Sequence, residues 1–423
     1  MQKILTVKGT KDLLGRDLEF HEKILKIFTE LCNFFAYQKV STPIIENASV
    51  FIKSLGKSSD IIEKEMYSFV DKGGENIVLR PEGTAAIARA LITNNQQEEQ
   101  KKKYFYCGPM FRREKPQSGR LRQFHQIGVE YFGKRNFHND LEVIILAEKV
   151  LTKLDIRDKV KLEINTLGNL SSREGYKKVL KDFFLDNKSS LSNESLKRLE
   201  VNPFRILDSK DDSDKKLIDK APKNLDYLDN ESNDFFSNLL EGLNKLKINY
   251  KINPYLVRGL DYYNHTAFEY ITFDDKSQNA LLAGGRYDGL VKSLGGQDIS
   301  GVGWAAGVER LLLNITEFKE LTPRLISFFS MSENFNNQLL ELINGLDILE
   351  LTSVNFISSG NFKKKLVKAN KTGSLGCVIL GDDEWKKGML IWKDFFTGKQ
   401  EIFFANDLNN FLKKKIEKNK HCG

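Results

Sequence analysis

One segment in the first half of the chain, residues 104–133, constrains the fold more than any other. It has the pattern of two β-strands, an aromatic run at 104–111 and an apolar run at 124–132, joined by a turn-rich loop. Because side chains alternate between faces along a strand, Gln126 and Glu130 share one face of the second strand. The segment therefore predicts an antiparallel hairpin with a polar face that a larger sheet must support.

The loop of this hairpin is unusually rich in arginine. Only 16 of the 65 basic residues in the chain are arginine, and four of them lie within the eleven positions 112–122. A chain that uses lysine for general surface charge keeps arginine where a planar, bidentate cation must meet phosphate or carboxylate. Arginines beside the carboxylate of Glu130 therefore predict a site for a polyphosphate and an amino group.

Several stretches resemble motifs of one enzyme family. The pattern F-R-x-E, a loop, then R-x-R-Q-F-H-Q-x-G-x-E is similar to motif 2 of the class II aminoacyl-tRNA synthetases, in the form found in histidyl-tRNA synthetases. RGLDYY at 258–263 and GGRYDGL at 284–290 resemble the two signatures that separate histidyl enzymes from other class II members. The segment 301–313 resembles motif 3, and the segment around Pro43 resembles motif 1, the dimer element, with an ordinary loop–strand junction as the alternative.

Length and composition bound the architecture. A chain of 423 residues predicts two or three domains, and 40% hydrophobic with 29% charged residues is ordinary for a globular protein. The resemblance implies an α/β (α+β) fold, with a class II catalytic domain over 1–322 built on an antiparallel sheet flanked by helices. We expect a helical insertion at about 168–250 and a C-terminal α/β anticodon-binding domain over 323–423, where strands and helices alternate.

Two basic regions leave their interpretation open. In the family, an insertion at this place helps to hold the tRNA acceptor stem, and a basic helix near 361–370 would contact phosphates in the C-terminal domain. A solvated helical face is the alternative for both regions. The candidate phosphate contacts of the basic helix are Lys363, Lys364, Lys365 and Lys368.

The resemblance implies roles for individual residues. Joining an amino acid carboxylate to the α-phosphate of ATP needs preorganised cations rather than an acid–base pair. Arg112 is expected at the α-phosphate and the carboxylate, Arg258 in the place of a metal used by relatives, and Arg310 at the γ-phosphate. The expected ATP-binding residues are Arg112, Arg120 and Arg310. The expected histidine-binding residues are Glu82, Gly83, Thr84, Arg112, Gln126, Glu130, Arg258, Tyr262, Tyr263 and Tyr287.

For two of the expected histidine-binding residues, a purely structural role is the alternative. Glu82 and Thr84 stand where a predicted helix begins, so they could act only as helix caps. Glu130 and Tyr263 are the expected partners of the imidazole ring, because a pocket for histidine must supply groups for two ring nitrogens.

The resemblance also implies substrates and partners. We expect ATP with Mg²⁺, L-histidine, histidine tRNA and a homodimer, with Lys115 and Gln117 at the tRNA acceptor end. The five histidines and four cysteines show no metal-ligand spacing, so we expect no metal site made by protein His or Cys and a reduced, cytoplasmic protein. No apolar run approaches the roughly 18 residues of a membrane helix, so no membrane partner is expected.

Three other functions share features with this sequence. A regulatory subunit of ATP phosphoribosyltransferase, similar to histidyl-tRNA synthetase, keeps the fold but typically loses the catalytic arginines, whereas this chain has Arg112, Arg258 and Arg310. An RNA-binding protein on the same scaffold would not need the carboxylates and amide of the predicted pocket. A class II synthetase for another amino acid is disfavoured by RGLDYY and GGRYDGL. Without a Walker A or G-x-G-x-x-G sequence, P-loop and Rossmann sites have no support.

Overall fold

A computed structural model describes residues 3–56, 59–97, 102–258, 260–273, 280–315, 324–346 and 352–418. The chain divides into two units, Met1–Phe318 and Lys319–Gly423. The boundary predicted near residue 322 lies outside the described residues.

The first unit combines helices with a large and a small sheet. Its helices are α1 Arg16–Phe34, α2 Ala48–Leu55, α3 Thr84–Thr93, α4 Phe137–Lys153, α5 Leu170–Asp186, α6 Asn193–Val201, α7 Asp212–Ile218, α8 Asn230–Lys245, α9 Leu290–Ser293 and α10 Val308–Asn314. Its strands are β1 Gln38–Lys39, β2 Ile45–Asn47, β3 Tyr67–Val70, β4 Asn76–Leu79, β5 Lys102–Phe111, β6 Gln123–Gly133, β7 Val160–Thr166, β8 Tyr250–Ile252, β9 Asn264–Thr272, β10 Ala280–Arg286 and β11 Ser300–Gly307.

The predicted hairpin lies inside the large sheet. The strand order is β1-β5-β6-β11-β10-β9-β7-β8, and β5 and β6 pair antiparallel with Tyr104 opposite Glu130. The neighbouring pairs are antiparallel except β1 with β5 and β7 with β8, which are parallel. The prediction of a sheet flanked by helices is confirmed, and its two edge pairs make the sheet mixed rather than purely antiparallel.

Strand alternation separates the core from the other face of the sheet. Ile127, Val129 and Tyr131 of β6 join the main hydrophobic core, to which α1 contributes Ile24 and Phe28. The side chains of β6 between them point to the opposite face, as the period of two requires. One strand thus anchors the core with half of its residues and offers the rest to the second face.

The run at 40–47, which contains Pro43, forms strand only at its end. β2 covers its last three residues at the edge of a small sheet ordered β2-β4-β3, while Pro43 lies outside any strand. Proline has no N–H to donate to a ladder, so pairing begins only after it. Ile44 and Ile45 remain 42% and 52% exposed, which leaves an apolar surface beside Pro43.

Helix α4 is capped by Asn136 and not by Asn139 or Asp140, which are also common capping residue types. The Asn136 side chain accepts a hydrogen bond from the backbone of His138 at 2.9 Å, and the helix begins at Phe137. Asp140 is instead fully buried and pairs with Arg286, so its side chain is not available for capping.

The helical region predicted at 168–250 has two packing environments. α5, α6 and α7 build a core of their own around residues such as Tyr176, Leu180 and Leu199. Phe236, Leu239 and others of α8 belong instead to the main core of the first unit, where α8 packs against α4. The last helix of the predicted insertion is therefore structurally part of the sheet-containing core.

The second unit alternates strands and helices as predicted. Its strands are β12 Arg324–Ser330, β13 Thr352–Phe356, β14 Gly376–Leu380, β15 Met389–Asp394 and β16 Gln400–Phe404, and its helices are α11 Asn336–Asn344, α12 Phe362–Lys371, α13 Asp382–Trp385 and α14 Leu408–Lys418. The sheet order is β13-β12-β14-β15-β16, with a parallel half joined to an antiparallel half. Residues 349–351, directly before β13, lie outside the described residues.

One of the four predicted phosphate-contacting lysines is inside this unit. Lys365 is 1% exposed, and its Nζ donates to the Ser330 carbonyl at 2.9 Å. A buried ammonium group needs such an acceptor, so the prediction of a phosphate contact at Lys365 is wrong. Lys363, Lys364 and Lys368 are exposed on α12.

Among the described residues, no helix has both the length and the apolar character that crossing a membrane requires.

We expect Leu239→Ala to lower the free energy of unfolding by about 2–5 kcal/mol, because Leu239 is fully buried in the main core and the truncation leaves a cavity. The exposed Ser237 of the same helix supplies the control, since Ser237→Ala should change the free energy of unfolding by less than about 0.5 kcal/mol. Urea denaturation of the full chain measures both. Equal, small effects would show that α8 is not part of this core.

Candidate active site

A single cavity of about 490 Å³ lies over the second face of the large sheet. Its walls include parts of β6, β9, β10 and β11 together with the start of α3, and its size is typical of a small-molecule site. The motifs that are far apart in the sequence thus meet at one place. The predicted site residues that line the cavity are Glu82, Thr84, Arg112, Arg120, Gln126, Arg258, Tyr262, Tyr263 and Arg310.

The remaining predicted residues do not belong to the cavity lining. Glu130 and Tyr287 are fully buried behind it, and Gly83 stands between two lining residues with its backbone N–H bonded to Gln126 Oε1 at 3.2 Å. Lys115 and Gln117 are exposed on the hairpin loop.

The cationic end of the cavity is organised around one carboxylate. Glu114 pairs with Arg120 at 2.8 Å and lies 3.8 Å from Arg112, while Arg112 Nε donates to the Pro81 carbonyl at 2.9 Å. These contacts fix the arginine forks before any ligand arrives, and preorganisation is what electrostatic catalysis requires.

Arg310 adds a further guanidinium to the same end. Its Nη1 donates to the Ala280 carbonyl at 3.0 Å, and its Nε approaches the Gly119 carbonyl at 3.4 Å. Burial lowers the pKa of Arg310, and the neighbouring Arg120 lowers it further. Like charges held this close repel each other, so the arrangement favours a polyvalent anion among them.

Arg258 approaches the cavity from the segment before β9. It forms an ion pair with Glu269 of β9, and its guanidinium lies 5.3 Å from the centre of the Tyr263 ring. The ion pair and the ring contact hold a mostly buried cation in one orientation.

Glu82 is bonded to the helix that follows it. Its two carboxylate oxygens accept from the backbone N–H groups of Thr84 at 2.7 Å and Ala85 at 2.9 Å, at the N-terminus of α3. Burial raises the pKa of Glu82, and these donors oppose the shift. The capping interpretation of Glu82 is therefore correct for this structure, and its contact with a substrate amino group stays a prediction.

The surroundings of Glu130 raise the pKa of its carboxyl group. Thr84 Oγ1 donates to one oxygen at 2.7 Å, and the Tyr287 hydroxyl donates to the other. Burial raises the pKa of Glu130 to about 8, although both donors act in the opposite direction. The contact of Glu130 with an imidazole ring stays a prediction, because Glu130 is not part of the cavity lining, whereas Thr84, which is bonded to it, is.

Gly303 and Tyr287 both adjoin the Glu130 carboxyl group. Gly303 of β11 pairs with Glu130 of β6, and a Cβ on Gly303 would collide with Glu130 Oε2 and the Val129 carbonyl, so glycine is required by close approach. Tyr287, which donates to Glu130, follows Arg286 in the chain, and the buried Arg286 guanidinium pairs with Asp140. The GGRYDGL stretch thus supports the carboxyl group through its tyrosine.

Two of the five histidines lie close together in the structure, although they are far apart in the sequence. His21, His125 and Glu309 each offer a possible metal-ligand atom, all within 4.8 Å of one another. Glu309 already accepts from the His125 backbone N–H at 2.9 Å and contacts His125 Nδ1 at 2.8 Å. These hydrogen bonds give His125 a structural role and connect motif 2 to motif 3.

Sequence reasoning missed several residues of the cavity. Glu114 and Glu269, which orient the arginines, could have been proposed from F-R-R-E and from the alternation of β9. Arg205, Asp208 and Lys210 of the helical region also line the cavity, and their polar surroundings in the sequence give no sign of it.

Comparison with known proteins agrees with the motifs. The family model described as histidyl-tRNA synthetase matches residues 9–311. A histidine–tRNA ligase of Gluconobacter oxydans is 42% identical over 405 residues, covering 96% of this chain and 97% of that protein, and one of Rhodospirillum rubrum is 41% identical over 412 residues, covering 97% and 99%.

A solved structure has the same fold over nearly the whole chain. The apo histidyl-tRNA synthetase of S. aureus superposes with a TM-score of 0.81 at 30% identity, covering 97% of this chain and 99% of that one. Sequence, fold and cavity lead to one assignment: this chain belongs to the histidyl-tRNA synthetase family of class II aminoacyl-tRNA synthetases.

Proposed function

We propose that this chain is a histidine–tRNA ligase, which activates L-histidine with ATP to give histidyl-adenylate and pyrophosphate and then transfers histidine to the 3′ end of its tRNA. The observation that supports this most strongly is that Arg112, Arg258 and Arg310 line one cavity with the carboxyl and hydroxyl groups of a polar pocket. A regulatory protein on this fold would not need the three guanidinium groups together.

Activation brings two anions together. The histidine carboxylate attacks the α-phosphorus of ATP, the bond from this phosphorus to the bridging oxygen breaks, and pyrophosphate leaves. Arg112 would neutralise the carboxylate and α-phosphate, Arg258 would hold the carboxylate, and Arg310 with Arg120 would bind the leaving pyrophosphate. The arginines supply electrostatic stabilisation where charge develops, so no nucleophilic side chain is required.

Magnesium fits this cavity through its carboxylates. Mg²⁺ prefers oxygen ligands and is commonly shared between phosphates and one or two carboxylates. Glu65 and Glu114 both line the cavity, and the pKa of Glu65 is raised by burial and then by Glu114, a pairing that a cation would relieve. These two residues would hold the ion, which would neutralise phosphate charge when bound.

The polar side chains in and directly behind the cavity wall would select histidine. Tyr263 and Glu130 would hydrogen-bond the imidazole nitrogens, with Tyr262 beside them; the Tyr262 and Tyr263 rings lie 4.7 Å apart. Glu82, Thr84 and Gln126 would take the amino group. A site that hydrogen-bonds its substrate rejects apolar analogues strongly, because its buried polar groups would be left unpaired.

The partners follow from other surfaces. Lys115 and Gln117 would meet the tRNA acceptor end, and the exposed lysines of α12 would meet anticodon phosphates. The exposed Ile44 and Ile45 beside Pro43 support a homodimer contact at motif 1. Cys32, Cys107 and Cys377 are free thiols, which supports a reducing, cytoplasmic location.

The direct test is ATP–pyrophosphate exchange with each of the twenty amino acids. We expect exchange with L-histidine alone. Exchange with a different amino acid would reassign the substrate, and the absence of exchange with all twenty would contradict an activating enzyme.

We expect Arg258→Lys to reduce exchange by about 100-fold or more while leaving the thermal unfolding temperature nearly unchanged. Lysine keeps the charge beside Glu269 but has no planar fork for a carboxylate. Arg113→Lys is the matched control, because Arg113 is exposed in the same motif region and does not line the cavity. Near-normal exchange by Arg258→Lys would refute this role of Arg258.

Glu130→Gln tests the buried carboxyl group in two ways. We expect kcat/KM for histidine in the exchange assay to fall by about 10- to 100-fold, because the ring loses a charge-capable partner. The second test is stability. With a native pKa of about 8, Glu130 retains a proton that the unfolded chain releases, so it makes stability fall as pH rises from about 5 to 8.

The variant lacks this titration. The unfolding free energy of the wild type should therefore decrease relative to that of Glu130→Gln by up to about 1.4 kcal/mol per pH unit across this window. Urea denaturation at several pH values measures the difference. Parallel pH profiles would show that Glu130 is not held protonated.

A further inference from the structure

The helical insertion reaches into the catalytic cavity. Arg205 of the 3₁₀ turn Pro203–Ile206, and Asp208 and Lys210 from the loop between this turn and α7, are part of the cavity lining. The side chains of Asp208 and Lys210 are exposed. No residue of this segment belongs to the motifs by which the sequence indicated the site.

Lys210 lies at the cationic end of this cavity. Partial desolvation lowers its pKa, the charge of Arg120 lowers it further, and Arg310 acts in the same direction. Asp208 and Glu114 oppose these effects. The Lys210 ammonium group thus lines the same cavity as the two guanidinium groups assigned to the pyrophosphate end of ATP, and their charges act on it, an arrangement that favours a polyvalent anion.

The insertion is attached to the segment that supplies the histidine pocket. Arg173 Nη1 donates to the carbonyls of Asp261 at 2.9 Å and Tyr263 at 3.0 Å, and Asn202 Nδ2 donates to Asp261 Oδ1 at 3.0 Å. Arg205 adds an ion pair with Asp60 at 2.9 Å. These contacts hold the turn that precedes Lys210 at the cavity wall.

The loop itself is fixed at its base. Ser209, the residue before Lys210, donates its hydroxyl to Asp214 Oδ2 at 2.6 Å, and Asp214 also accepts from the hydroxyls of Ser192 and Ser195. Asp214 is fully buried, so this cluster of hydrogen bonds restrains the backbone beside Lys210, whose side chain lines the cavity.

We propose that Lys210 binds the β- and γ-phosphate end of ATP during histidine activation, and that the docked insertion positions it there. This inference rests on the proposed function. A lysine ammonium is a compact point charge that complements the oxygens of a phosphate, and the guanidinium groups of Arg120 and Arg310 line the same cavity. The insertion therefore takes part in the first reaction step, before tRNA is bound.

ATP–pyrophosphate exchange without tRNA tests this role. We expect Lys210→Gln to raise the KM for ATP by about 10- to 100-fold, the effect of losing one charge-assisted contact, with the KM for histidine unchanged. Lys210→Arg should recover most of the loss because it restores the charge. Lys216→Gln is the matched control, since Lys216 is an exposed lysine of the same insertion that does not line the cavity.

A second variant tests positioning. Asn202→Ala removes the side-chain bond to Asp261 and should raise the KM for ATP in the same direction as Lys210→Gln. If docking acts through Lys210, the double variant should be little worse than Lys210→Gln alone. If the increases in the KM for ATP of the two single variants multiply in the double variant, Asn202 does not act through Lys210, and the positioning part of the proposal is wrong.

The outcomes separate this proposal from the function on which it rests. Wild-type exchange with histidine, together with equal KM values for ATP in Lys210→Gln and Lys216→Gln, would overturn only the role of Lys210. An effect confined to the KM for tRNA in aminoacylation would also overturn it and would assign Lys210 to the tRNA. A wild type without exchange would overturn both proposals.

Discussion

The crowding of cations in one partly desolvated cavity is the constraint on which the site depends. Arg112, Arg120 and Arg310 stand close enough for their charges to interact, and Glu114 compensates only part of this repulsion. Such an arrangement costs stability in the free protein and is retained where a polyphosphate supplies the missing negative charge. Histidine activation provides this anion in its ground state and further charge in its transition state.

The large sheet makes the arrangement rigid. β6 is an interior strand that contributes Ile127, Val129 and Tyr131 to the core and Gln126 and Glu130 to the opposite face. Moving the strand by one residue would exchange the two sets, so the register that buries the core also fixes the pocket. Stability and function therefore depend on the same backbone.

The sequence predicted the parts of the fold and site that follow from local patterns. The hairpin, the polar face of β6, the C-terminal alternation of strands and helices, and the positions of the family motifs all follow from period, turn chemistry and short spacing. Nine of the predicted site residues line one cavity. Their roles in catalysis stay predictions that the proposed experiments address.

The errors arise where distant residues decide the outcome. Lys365 has the sequence of an exposed basic helix, but its position over Ser330 buries it. Asp140 looks like a helix cap until Arg286 is placed beside it, and the grouping of His21 with Glu309 depends on two elements far apart in the chain. Lys210 could not be assigned from a stretch rich in Lys and Asp, because only the docking of the insertion places it in the cavity.

The most direct test of the central claim is a crystal structure of the protein with L-histidine and an unreactive ATP analogue. We expect one site in which Arg112 contacts the α-phosphate and the carboxylate, Arg258 contacts the carboxylate, and Arg310 contacts the terminal phosphate. A triphosphate bound outside this cavity, or bound in it without contacts to these guanidinium groups, would contradict the account.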